Sequence, residues 1–193
     1  MRTSYRGVSR RRIDPLWRLN YFVRMAKLDI VTLPDPILRV VSTPVERVDD
    51  DLRRLIDDMF ETMYAAPGVG LAAVQVGVPR RLLVLDVGGK EPEDRDPLVM
   101  INPEIVRLAD GRRIYDEGCL SIPDVKVDIE RPDGVTVRFL DRDGRQQERA
   151  AEGLLATAVQ HEIDHLDGRL IIDFLSRLRR EMVIRKMRKI ARV

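Results

Sequence analysis

Apolar residues recur with two different periods along this chain, and the switches between them mark its elements. Leu52, Leu55, Ile56, Met59 and Met63 fall at i, i+3, i+4, i+7 and i+11, the spacing that lines one face of a helix. Asp49–Asp51 just before them supply N-cap candidates and carboxylates for the positive helix end, and Pro67-Gly68 stops the pattern. Leu82–Val87 is a continuous apolar run, which predicts a buried strand. Val99–Ile101 and Glu104–Leu108 are further strand candidates after a charged loop at Lys90–Pro97, and Asp110-Gly111 reads as a turn between strands. Strict alternation follows at Val125, Val127 and Ile129, then at Val135, Val137 and Phe139, before Asp141–Gly144 turns the chain back. The helical period returns at Leu154, Leu155, Ala158 and Val159. It predicts a helix from Glu152 to about Asp167, closed by Gly168. Ile30–Leu33, halted by the rigid Pro34-Asp35-Pro36 turn, and Leu170–Ile172 are short apolar runs, the second a strand candidate. Residues 176–192 form a basic helix with Val183, Met187 and Ile190 on one side. The order predicts an α+β fold: antiparallel sheets packed around a central helix at 152–167, with one helix N-terminal and one C-terminal to them.

Composition narrows the class. The chain has 193 residues, 44% hydrophobic and 34% charged, enough for one domain with a proper core. No apolar run approaches the ~20 residues of a membrane span. A single cysteine excludes an internal disulfide and suits a reducing cytosol. The net charge of +2 conceals a division. Residues 1–24 carry seven Arg and one Asp, and residues 177–193 carry eight Lys or Arg and one Glu, which leaves residues 25–176 at −11. An acidic body with basic ends directs any anionic partner to the ends. Three segments are therefore expected: a mobile basic extension at 1–24, a folded domain at 25–176, and a basic helix at 177–193 belonging to that domain. The extension has the composition of an organelle transit peptide, and an ordered pattern begins at Met25, a second possible start. A cytoplasmic location is the expectation, with no DNA and no membrane as partners.

The chemistry concentrates where the two histidines lie. Gln160-His161-Glu162-Ile163-Asp164-His165 contains HExxH on the predicted helix. Residues four apart share a helix face, so His161 and His165 can direct two imidazoles at one divalent cation. Glu162, about 100° round the helix, stands beside the cation as a base. A catalytic metal takes three protein ligands and keeps one open position. Cys119 is the sole thiol and lies in a Gly-Cys turn. A thiolate with two imidazoles suits Zn(II), Fe(II), Co(II) or Ni(II). Glu117 is an alternative third ligand that spacing leaves open, and an inert buried thiol is the commoner fate of a lone Cys. Gly68-Val69-Gly70-Leu71-Ala72-Ala73-Val74-Gln75 lacks the Gly-Lys-Ser/Thr of a phosphate loop; its glycines let backbone approach a ligand closely.

Taken together, GVGLAAVQ at 68–75, EGCLS at 117–121 and QHEIDH at 160–165 resemble the three motifs of the peptide deformylase family, in that family's order and approximate spacing, over roughly residues 28–176. The resemblance implies a hydrolase that removes the N-formyl group from the N-terminal methionine of new polypeptides and releases formate. It implies Cys119, His161 and His165 as metal ligands and Glu162 as general base and acid. The Gln75 amide and the Leu120 backbone N–H would stabilise the oxyanion, and Gly70 would meet the substrate backbone. Fe(II) is the expected cellular ion, with Zn(II), Ni(II) or Co(II) possible. Leu154, Thr157 and Ala158 share the His161 face of the helix and, with Val69 and Tyr115, are the expected wall of a methionine pocket. Lys126 stands where the family often carries an arginine that meets the peptide, and Arg131 is expected to share that role. Related deformylases sit on the ribosome near the exit tunnel through a basic C-terminal helix. Weak, salt-sensitive ribosome binding is thus expected through Arg179, Arg180, Arg185, Lys186 and Lys189. Two rival readings are an HExxH endopeptidase and a ribosome-associated module without catalysis.

Overall fold

The computed structural model describes residues 26–89 and 92–191; the expectations for residues 1–24 lie outside the described residues. The chain is a mixed fold of helices and antiparallel strands. Helix α1 (Asp50–Ala65) begins where Asp49 accepts a hydrogen bond from Leu52 N–H, as its N-cap. After it come β1 (Gly70–Ala72), β2 (Leu82–Leu85) and β3 (Leu98–Leu108). Then follow β4 (Arg112–Cys119), β5 (Ile122–Pro132), β6 (Gly134–Leu140) and β7 (Gln146–Glu152). Helices α2 (Gly153–Leu166) and α3 (Arg177–Ile190) complete the order. Five strands make an antiparallel sheet in the order β1-β2-β3-β6-β7, while β4 and β5 form a separate hairpin.

The apolar run at 82–85 is continuous because β2 is covered on both faces. Leu83 and Leu85 pack with Val159, Ile163 and Leu166 of α2, whereas Leu82 and Val84 pack with Leu52, Ile56, Met59 and Met63 of α1. A third cluster unites Ile122, Val127 and Ile129 of β5 with Leu170, Ile172 and Met187 of α3. Helix α2 thereby touches β1, β2, β6 and β7 on one side and β5 on another. Full burial of one Leu or Ile contributes about 1.5–3 kcal/mol, so these seams hold the site's supports in place.

Several elements differ from the sequence expectation. Val99–Ile101 and Glu104–Leu108 are one strand, β3, interrupted by register shifts after Ile101 and Ile105. Asn102 sits there at φ 51°, and its amide clamps Val45, donating to its carbonyl and accepting from its N–H, both at 2.8 Å. The Asp110-Gly111 turn joins strands of different sheets, because β4 pairs with β5 rather than β3. The pattern of residues 146–152 predicts no strand, but β7 forms there. Its QQERAAE sequence buries only Ala151, yet it pairs with β6 from Gly134↔Glu152 to Leu140↔Gln146. Leu170–Ile172 is not a strand: Ile171–Phe174 forms a 3₁₀ turn, with the Asp173 carboxylate accepting from Leu170 N–H at 2.9 Å. On α3, Met187 is buried and Val183 packs with it, but Ile190 is exposed. Ile30–Leu33 runs as a strap: Val31 N–H donates to the Gln75 carbonyl at 2.8 Å and Leu33 N–H to the Ser121 carbonyl at 3.0 Å.

Candidate metal centre

Strand β4 and helix α2 bring the donors together. On β4, Tyr115, Glu117 and Cys119 share one face by the period of two, and the register shifts between Gly118 and Cys119. On α2, His161 and His165 stack one turn apart, ring centroids 5.0 Å apart at 67°. The Cys119 Sγ and one ring nitrogen from each histidine lie within 4.8 Å of one another. Sγ is 3.2 Å from His165 Nε2. The Nδ1 of His161 is turned away, 2.9 Å from Glu117 Oε2. Glu117 thus orients a histidine and is absent from the donor cluster.

The donor set fits a divalent cation. Bonds of about 2.3 Å to sulfur and 2.0–2.1 Å to nitrogen bridge donors this close with small side-chain adjustment. The electrostatics agree. Burial disfavours a proton on His161, but hydrogen bonds to Cys119 and Glu117 outweigh it and raise its basicity well above the ordinary imidazole range. Burial, and then the charge on His161, push His165 well below that range. A proton on His161 competes with a cation for that ring, so metal held there is bound more weakly as pH falls.

Glu162 lies beside the cluster. Its Oε2 has no hydrogen-bond partner although it is buried, and burial pushes its carboxyl up to about 7 against the pull of His161. Gly70 explains itself here: a Cβ at that position would collide with Glu162 Oε1. The Gln75 side chain is fixed at its oxygen, which accepts from Ala72 N–H at 2.8 Å. Its Nε2 therefore faces Ser121 Oγ at 3.2 Å and Cys119 Sγ at 3.8 Å.

These groups line one cavity of about 510 Å³. Val69, Gly70, Gln75, Cys119, Leu120, Thr157, Ala158, His161 and Glu162 all border it. His165 is buried behind Cys119. Leu154 and Tyr115 do not border the cavity. Leu154 is 46% exposed near the start of α2, and the Tyr115 hydroxyl lies close to Gly153 at that helix start. Lys126 borders the cavity mouth, 3.4 Å from Asp116. Arg131 does not share that position. It is 6% exposed, and its guanidinium is taken by Glu117 at 2.6 and 3.1 Å and by Asp164 at 2.8 Å.

The polypeptide deformylase family model matches residues 27–181. A peptide deformylase of Rhizobium meliloti is 61% identical over 163 residues, covering 84% of this chain and 93% of that protein. The chain belongs to this family. A crystal structure of peptide deformylase from Ehrlichia chaffeensis in complex with actinonin superposes with a TM-score of 0.83 at 44% identity, covering 88% of this chain and all of that one. A Legionella pneumophila peptide deformylase gives 0.80 at 48% identity, covering 86% and 96%. In deformylase terms, the three segments matched by sequence meet at one cavity.

The sequence does not single out Ser121 or Asp164, and Arg131 enters as the buried partner of Glu117 and Asp164 rather than as the expected peptide contact. For Arg131 the signal existed. It continues the inward series Val125, Val127, Ile129, so its side chain had to enter the protein.

Proposed function

We propose that this chain is a metal-dependent hydrolase that removes the N-formyl group from the N-terminal methionine of newly made polypeptides. Family membership supports the reaction. The observation that carries it to these residues is the convergence of Cys119, His161 and His165 beside a buried, partnerless Glu162 oxygen in one cavity. A divalent cation held by those three donors is a Lewis acid that lowers the pKa of water from 15.7 toward roughly 7.

The chain's own groups do the rest. The backbone at Val69 and Gly70 lies along the open cavity and aligns the peptide. Thr157, Ala158 and Val69 receive the methionine side chain, and Leu154 and Tyr115 do not border the cavity. Glu162 takes a proton from the attacking water as the oxygen joins the formyl carbon. Charge then grows on the former carbonyl oxygen, where Gln75 Nε2–H and Leu120 N–H donate. Glu162 returns its proton to the departing nitrogen, the C–N bond breaks, and formate and a free amino terminus leave.

Fe(II) is the proposed cellular ion, and Zn(II), Ni(II) or Co(II) suit the same thiolate and imidazoles. The catalytic domain at 25–176 is arranged about α2 as its central helix, and the basic segment that follows it carries α3 (Arg177–Ile190). A cytoplasmic setting accords with the free cysteine; no described helix is long and apolar enough to cross a membrane. Arg179, Arg185 and Lys189 are exposed on α3 and are proposed to contact ribosomal phosphates. Arg180 and Lys186 donate to the carbonyls of Ile172, Asp173 and Asp124, so they contribute less. Incubating anaerobically purified protein of known metal content with formyl-Met-Ala, and separately with an unformylated protein, tests the reading. Formate release is expected. Internal cleavage without formate would indicate an endopeptidase and overturn it.

A further inference from the structure

Arg131 is too costly to bury without a task, and the fold gives it one. Its side chain leaves the inward face of β5 and is almost sealed from water. Nε donates to Glu117 Oε1 at 2.6 Å and Nη2 to Oε2 at 3.1 Å, while Nη1 donates to Asp164 Oδ2 at 2.8 Å. The ring of Phe174 covers the guanidinium from 5.1 Å. Asp164 is held from its other oxygen by Arg169 at 3.1 Å.

The two carboxylates belong to the two elements that carry the metal donors. Glu117 is two residues before Cys119 on the same face of β4, and its Oε2 also meets His161 Nδ1. Asp164 is three residues after His161 on α2. One planar fork therefore ties the strand that brings the sulfur to the helix that brings the imidazoles, at two points of that helix. An ammonium is a single point charge and cannot reproduce this geometry. We propose that Arg131, braced by Asp164, is the positioning residue of the metal centre. It sets the Glu117 carboxylate, and through it the His161 ring, against Cys119. It has no contact with the peptide.

The inference rests on the metal-ligand assignment above. The test uses the full chain, stripped of metal under anaerobic conditions and titrated with Co(II). Binding is read from the thiolate-to-cobalt absorption band in competition with a chelator. A wild-type protein without that band would sink the ligand assignment itself. With the band present, Arg131→Lys is expected to raise the Co(II) dissociation constant about 10–100-fold, leaving KM for formyl-Met-Ala in the metal-loaded enzyme unchanged. Glu117→Gln should weaken binding similarly, and the double variant should lose no more than either single one, because both break one chain of contacts. Wild-type affinity in Arg131→Lys, or additive losses in the double variant, would overturn the proposal; so would a raised KM at unchanged affinity, the mark of a substrate contact. Should Arg131→Lys fail to fold, Asp164→Asn carries the test. It keeps the Glu117 fork and should still weaken Co(II) binding, and unchanged affinity there counts against the idea.

Discussion

At the scale of single residues, Glu162 has the most demanding position. Removing its carboxylate takes away the base and acid, so Glu162→Gln should lower turnover by about 10²–10⁴ with metal content unchanged, measured by formate release and elemental analysis on the same sample. Its titration has a second consequence. Burial raises its folded pKa to about 7, above the ordinary 4.3 of an unfolded glutamate. Folding therefore favours the protonated form. This contribution is fully present below the unfolded pKa and is lost as pH rises through about 7. In metal-free protein, Glu162→Gln should melt higher than wild type at pH 8, and the difference should close toward pH 5. A constant gap across that range would mean that the carboxylate is not kept neutral by the fold. A bound cation acts the other way and draws the pKa down, so the acid limb of kcat/KM in loaded enzyme should fall below pH 7.

At the scale of elements, what was legible in the sequence follows from periodicity, and what was not follows from long-range pairing. Helices α1 and α2 were readable because their apolar faces are wide. The hidden strand was β7, whose polar sequence is set by its partner β6 rather than by its own pattern. The 3₁₀ turn at Ile171–Phe174 owes its form to Asp173, held by Arg39 from the far N-terminal segment at 2.5 and 3.0 Å. Such a contact has no local signature. Cys119, His161 and His165 stand out as candidate donors because they are rare residue types, whereas Asp164 carries no such mark and Arg131 is expected at the peptide rather than buried between Glu117 and Asp164. Two predictions sit at this scale. Arg131→Met leaves Glu117 buried without its cation and Asp164 with Arg169 alone, and should destabilise the fold by about 3–5 kcal/mol, read by urea unfolding. Gly70→Ala presses a methyl onto the Glu162 carboxylate at the point where β1 passes α2. It should cost about 10² in turnover with little change in circular dichroism. Near-wild-type turnover would show that β1 has room to yield.

At the scale of the molecule, the decisive asymmetry is charge. Residues 25–176 carry −11 and residues 177–193 carry +7, so phosphate repels most of the surface and attracts one helix. That helix is fastened to the body by Met187, Val183 and Ile184, which leaves its outer side to carry Arg179, Arg185 and Lys189. Among the described residues the arrangement should orient the enzyme as well as hold it, because α3 presents the basic side. Three side chains that neutralise RNA phosphates release the counterions condensed there and give a slope of roughly −2 to −3 in log affinity against log salt. Co-sedimentation with ribosomes between low and physiological salt should show that slope. The triple variant Arg179→Glu, Arg185→Glu, Lys189→Glu should abolish it while formyl-Met-Ala turnover persists, since none of the three borders the cavity. Binding of the triple variant with an unaltered slope would place the contact elsewhere on the molecule. Lost binding with lost turnover would mean that α3 supports the catalytic core through more than Met187.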